Sequence, residues 1–309
     1  VVLTRLLLVL APALVQPAEA PVAAVDGHPL AAHARRLLQA LEFLGAPLPQ
    51  GETNKITAAI EQRDANRLQA LLDPHVLFVV SLNPEVRVKV ARGPAKAVLQ
   101  QGGFSPVLVK VLNDSTVTER LRIVSPQSGP IYSGAALNSL VRQAQTELNQ
   151  DENTKGATDR FLQAEMFQAS PMTAALSGLS VEYAIALLYS SEAGQREATI
   201  GFDVGGGNQD LGFRGEVPVL FEIRKARAVQ LRIKDFDGAP TVARLTFRDA
   251  QGRVYPPQVK RLAPDFFFQP QIYRRDGETV LLPMGEYTLE SCRGPEYVVQ
   301  QKTVDVTGE

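Results

Sequence analysis

The chain has 309 residues, too many for one ordinary domain and suited to two or three. Hydrophobic residues make up 45% and charged residues 21%, a globular composition that argues against disorder. The 32 basic and 33 acidic residues leave a formal charge of −1, so no basic footprint for nucleic acid is expected, and the lack of Trp weighs against sugar-binding modules built on a Trp platform.

At the N-terminus, Arg5 precedes an apolar run over residues 6–15, and Ala18 and Ala20 fit a small-x-small cleavage site. Such a run is shorter than the roughly 20 residues a spanning helix needs, and the pattern reads as a secretory signal peptide over residues 1–20. The expectation is export to a periplasmic or extracellular space, with the mature chain starting at about Pro21. No later segment is apolar and long enough to be a second span, so no membrane span is expected after cleavage. Cys292 is the only cysteine, which leaves no internal disulfide; it reads as a strand residue packed as a small hydrophobe.

Residues 21–74 read as a small helical unit. Leu30, Ala34, Leu37, Leu38, Leu41 and Leu44 recur at helical spacing, and Gly45 and Pro47 end that helix. A second helical stretch covers residues 53–72, with Asp64 placed to restart it as an N-cap and Asp73 and Pro74 to close it.

From His75 the composition turns to strand. Residues 76–82, 86–90, 107–112 and 121–124 read as strands, with a turn at Asn113 and Asp114. A polar, helix-like insertion is expected at residues 138–150, and a short helix at residues 160–167. Val181, Tyr183, Ile185, Leu187 and Tyr189 alternate cleanly, and residues 199–204 and 217–223 complete an antiparallel sandwich spanning residues 75–226.

A third unit is expected over residues 227–309. Val229, Leu231 and Ile233 alternate, residues 235–238 (Asp-Phe-Asp-Gly) signal a hairpin turn, and residues 242–248 read as the partner strand. Residues 279–282 and 287–292 around Gly285 read as a later hairpin, and residues 298–306 close the unit. The expected fold is therefore mainly β: a small N-terminal helical unit followed by two antiparallel β-sandwich domains.

Two segments of the third unit, residues 229–253 and 281–290, resemble the carboxypeptidase-regulatory, transthyretin-like β-sandwich. A wider likeness rests on residues 71–75 (Leu-Leu-Asp-Pro-His), 83–90, 201–207, 209–214 and 261–268 (Arg-Leu-Ala-Pro-Asp-Phe-Phe-Phe). These runs resemble the N-terminal region of large exported bacterial metallohydrolases of the CehA/McbA type, within the PHP (polymerase and histidinol phosphatase) superfamily. The resemblance implies a catalytic domain C-terminal to this region as a partner. It transfers no catalytic or metal residue, because the His-x-His signature has no counterpart here.

The residues themselves offer little chemistry. His28, His33 and His75 are the three histidines, and their spacing reads as surface or capping positions instead of converging metal ligands. The run from Asp203 through Gly205, Gly206 and Gly207 to Asn208 and Asp210 lacks the third Gly of a dinucleotide loop and the Lys of a phosphate loop. It reads first as a tight turn; Asp203, Asn208 and Asp210 are weak calcium candidates. No cofactor is expected. Asp235 and Asp237 read as turn formers. Phe266, Phe267 and Phe268, with Tyr255 and Tyr273, form an aromatic stretch bracketed by Pro256, Pro257, Pro264 and Pro270. Prolines remove backbone donors, and three consecutive Phe in an extended chain cannot share one face, so this stretch is the interface candidate. The expected function is that of a non-catalytic accessory segment. The alternative is a stand-alone exported module that binds protein, a surface or glycan.

Overall fold

The computed structural model describes residues 21–129, 160–205, 215–261 and 264–307. The expected signal peptide, the insertion at residues 138–150, and Asn208 and Asp210 lie outside them. Among the described residues the chain is mainly β, with three α-helices first and then sheets that are largely antiparallel.

Helix α1 (Gly27–Phe43) begins where the Asp26 carboxylate accepts from the His28 amide, and Gly45 terminates it at φ +67°. Helix α2 (Gln50–Gln62) ends at Arg63 in the left-handed region, and Asp64 starts α3 (Ala65–Leu72) by accepting from the Arg67 amide. The expected restart at Asp64 is therefore a true cap, and a 3-10 turn (Asp73–His75) leads into the sheet.

The first sheet contains β1 (Val76–Leu82), β2 (Val88–Arg92), β4 (Gly103–Asn113), β6 (Leu162–Met166) and β7 (Val181–Ser190), in the order β2-β1-β4-β7-β6. The second contains β3 (Val98–Gln100), β5 (Arg122–Val124), β8 (Gly194–Asp203) and β9 (Glu216–Arg224), in the order β3-β9-β8-β5. One face of the first sheet packs on the second through Phe78, Val80, Val109, Ala186, Ile200 and Phe221. Its other face packs on the helices through Val76, Leu108, Tyr183, Ile185, Leu37 and Ile56. The central sheet is thus covered on both sides, which explains why residues 76–82 are almost continuously apolar.

Three expectations are corrected here. Residues 160–167 are not a helix: β6 is an edge strand paired with β7, and it places Leu162, Ala164 and Met166 on the core side. The strand expected from Val86 begins at Val88, because Val86 is held at φ +63° in a turn closed by Asn83. The turn expected at Asn113 and Asp114 forms, held by the Asn113 side chain, and it carries the chain from β4 in the first sheet towards β5, which pairs β8 in the second. Two ladders, β1 with β4 and β3 with β9, are parallel.

The remaining strands are β10 (Ala226–Gln230), β11 (Val242–Arg248), β12 (Val254–Tyr255), β13 (Ile272–Arg275), β14 (Thr279–Pro283), β15 (Gly285–Cys292) and β16 (Gln300–Val306). They form a two-stranded sheet, β10-β14, and a second sheet ordered β12-β11-β15-β16, with β13 also on β11. Leu245, Phe247, Ile272, Val280, Leu282 and Leu289 fill the space between them. The two hairpins expected here are instead sheet crossings. The turn at Asp235 forms as expected, with Asp235 and Asp237 accepting amide bonds and Gly238 at φ +83°. It carries the chain from β10 to β11 in the opposite sheet, and Gly285 does the same between β14 and β15. Each sheet needs apolar cover, and the crossing supplies it where a hairpin would leave both strands in one layer.

The last unit is not packed only on itself. Val254 N–H donates to Gly45 O at 2.8 Å, Gln258 Nε2 donates to Phe43 O at 2.8 Å, and Val259 joins the helical core. A Cβ on Gly45 would stand 3.0 Å from Gln258, so glycine serves both the cap and this close approach. Among the described residues, no helix is long and apolar enough to cross a membrane.

Candidate functional site

Three places concentrate polar or aromatic groups: a buried network under the helices, the aromatic loop, and a cleft beside Tyr255.

The buried network centres on Lys110, which β4 points into the helical layer with no exposed surface. Lys110 Nζ donates to Asp73 Oδ2 at 2.8 Å, to Pro21 O at 2.8 Å and to Gln69 Oε1 at 3.1 Å. Tyr183 OH donates to the other Asp73 oxygen at 2.7 Å. Burial lowers the Lys110 pKa, with Asp73 opposing, and burial followed by Asp73 raises that of the Tyr183 phenol. Beside it, His33 is buried and not at the surface as expected; its Nε2 lies 2.9 Å from Tyr183 N and 2.8 Å from Tyr183 O. Strand β6 stops short of Tyr183, and the imidazole covers the ladder edge left open there. Every donor of Lys110 has an acceptor, so this network holds the helical layer to the sheet. His75 pairs with Glu52 at 2.7 Å, and His28 is exposed.

The aromatic loop follows Arg261. Its guanidinium donates to the carbonyls of Pro256, Pro257, Gln269, Pro270 and Gln271, at 2.6–3.2 Å. Burial pulls its pKa down to about 10. Asp265 takes both guanidinium nitrogens of Arg274, at 2.9 and 2.6 Å. On this frame Phe266, Phe267 and Phe268 are 47%, 52% and 51% exposed. Their rings pack on one another, with centroids 5.3 and 5.4 Å apart. Tyr273 is also exposed, and its amide donates to Asp265. Tyr255 stands apart, half-buried and edge-on to Tyr287 at 5.1 Å. The sequence located the exposed rings; it missed Arg261 and Asp265, whose role depends on partners that fold back onto them.

The cleft, of about 500 Å³, lies where β4, β9, β12 and the turn before β15 meet the end of α1. Lys96, Arg224 and Arg253 line it with exposed side chains and form no ion pair among the described residues. Tyr255 and Phe104 supply aromatic surface. Asp249 also lines it, but accepts from the Gln251 and Arg253 amides and from Tyr255 OH. Burial, then Asp249, pushes the Tyr255 phenol up to about 12, with Arg253 and Arg224 opposing.

Of the calcium candidates, Asp203 is described. Its carboxylate accepts from Gly205 N–H at 2.7 Å and pairs with Arg122 at 2.7 Å. Cys292 packs in β15 as a small buried residue.

No protein-family model matches this chain, and no curated protein matches it. Among solved structures, a chimeric titin Z1Z2 functionalized with a KLER exogenous peptide from decorin aligns at 8% identity. The alignment covers 69% of this chain and 93% of that one with a TM-score of 0.16, a likeness that carries no argument. What the structure defines is therefore a class of fold: a helix-backed β-sandwich joined to a second, smaller one.

Proposed function

We propose that this chain is a non-catalytic accessory segment of an exported metallohydrolase of the CehA/McbA type, and that it positions the catalytic domain through the loop carrying Phe266, Phe267 and Phe268. The supporting observation is three consecutive rings, each about half exposed, on a loop tied down by Arg261 and by the Asp265–Arg274 pair. A contiguous exposed apolar patch marks an interaction site, and aromatic residues dominate binding energy at such sites. A braced loop loses little freedom when it docks, which favours affinity. The resemblance supplies the partner: the catalytic domain expected C-terminal to this region.

The test is a binding measurement between this chain and a separately expressed metallohydrolase domain from the same reading frame. Phe267→Ala is expected to weaken binding at least tenfold and leave the melting temperature nearly unchanged. Phe247→Ala, in the core of the last unit, is the control and should cost about 3–5 kcal/mol. A comparable stability loss from Phe267→Ala, or unaltered binding, defeats the docking role.

A further inference from the structure

We propose that the cleft beside Tyr255 is a binding site for an acidic oligosaccharide, a short chain of sugar rings bearing carboxylates. Three observations converge. Lys96, Arg224 and Arg253 reach the cleft from separate segments and form no ion pair among the described residues. The wall also carries two carboxylates, Asp249 and Glu286, so the cations exceed them by one. Asp249 accepts from two backbone amides and from Tyr255 OH and makes no ion pair with the cations among the described residues.

Tyr255 adds the third element. Its ring is held edge-on to Tyr287, and its hydroxyl is fixed by Asp249 at 3.2 Å. The half-buried Tyr255 ring lines the cleft and supplies apolar surface for the C–H side of a sugar, while guanidinium groups take carboxylates through paired N–H bonds. The volume, about 500 Å³, falls within the roughly 300–1,000 Å³ of small-ligand sites. Inorganic phosphate would meet the same cations without using the Tyr255 ring, so its affinity separates the two readings. The chain's overall charge of −1 makes this local excess of positive groups a property of the cleft and not of the surface at large.

This site is independent of the docking loop, and the two stand or fall separately. The experiment is calorimetric titration of the whole chain with trigalacturonate, with cellotriose and inorganic phosphate as comparison probes, at low and at high salt. Trigalacturonate is expected to bind, salt is expected to weaken it, and cellotriose is expected to bind at least tenfold more weakly. Arg224→Gln and Arg253→Gln are each expected to reduce trigalacturonate affinity about tenfold with unchanged melting temperature. If either variant melts lower, Lys96→Gln, on an exposed side chain, takes its place. Absence of trigalacturonate binding overturns the proposal. So does equal affinity for inorganic phosphate or cellotriose, or binding that none of these variants weakens.

Discussion

His33 shows how a single side chain can make a β protein sensitive to acid. The ring is buried against the Tyr183 backbone, and its Nδ1 has no hydrogen-bond partner among the described residues. Burial lowers its pKa below the ordinary 6.5; the Tyr183 backbone and Glu182 push it up, and Arg36 adds to the lowering. The sign follows from proton counting. Below pH 6.5 the unfolded chain takes up a proton on this ring and the folded chain resists, so stability rises with pH across the window under 6.5 and falls as acid is added. Chemical denaturation between pH 7 and 5 is expected to show this loss, and His33→Gln to flatten it. An unchanged pH slope in the variant would remove His33 from the account. The imidazole was legible only as a helix residue; its burial was not, because the strand edge it covers is set 150 positions away.

At the scale of elements, the aromatic loop is organised by one guanidinium. Arg261 donates to five carbonyls of a proline-rich stretch that lies outside the strands. Arg261→Ala is expected to cost about 1–3 kcal/mol through unpaired carbonyls and to speed proteolysis within residues 264–271. Arg261→Lys should not restore protection, since an ammonium lacks the planar fork. Proteolysis unchanged in both variants would show that the loop is held by other contacts. Strand β6 teaches the complementary lesson. Leu, Gln, Ala, Glu and Met are strong helix formers, so residues 160–167 read as a helix. An open edge on β7 and a core facing Leu162, Ala164 and Met166 overrode that preference.

At the scale of the molecule, the last unit has its own core but leans on the first. A fragment covering residues 227–309 is expected to fold cooperatively with β-type circular dichroism, because Leu245, Phe247, Leu282 and Leu289 pack within it. It loses the burial of Val259 among the helices, worth about 1.5–3 kcal/mol, and the bonds from Val254 and Gln258 to Gly45 and Phe43. Hydrogen exchange at residues 254–261 should therefore be faster in the fragment than in the whole chain. A fragment that melts without cooperativity would mean that residues 227–309 do not form a unit.

The amino-acid sequence by itself determined what is local. Asp26 and Asp64 cap helices, residues 76–82 form a strand, Asp235 to Gly238 turn, and the prolines around residues 266–268 keep three rings out of a strand. Each depends on neighbours a few positions away, where dihedral preference and side-chain to backbone bonds decide the outcome. The tertiary structure alone decided which strands pair and which groups meet. It set β10 beside β14, and it covered the central sheet on both faces. Asp73 met Lys110 and Tyr183 across 37 and 110 positions, and Lys96, Arg224 and Arg253 met at one cleft. Alternation tells a strand which face is apolar but not which layer covers it, and charges far apart in the chain have no periodicity that could announce their convergence.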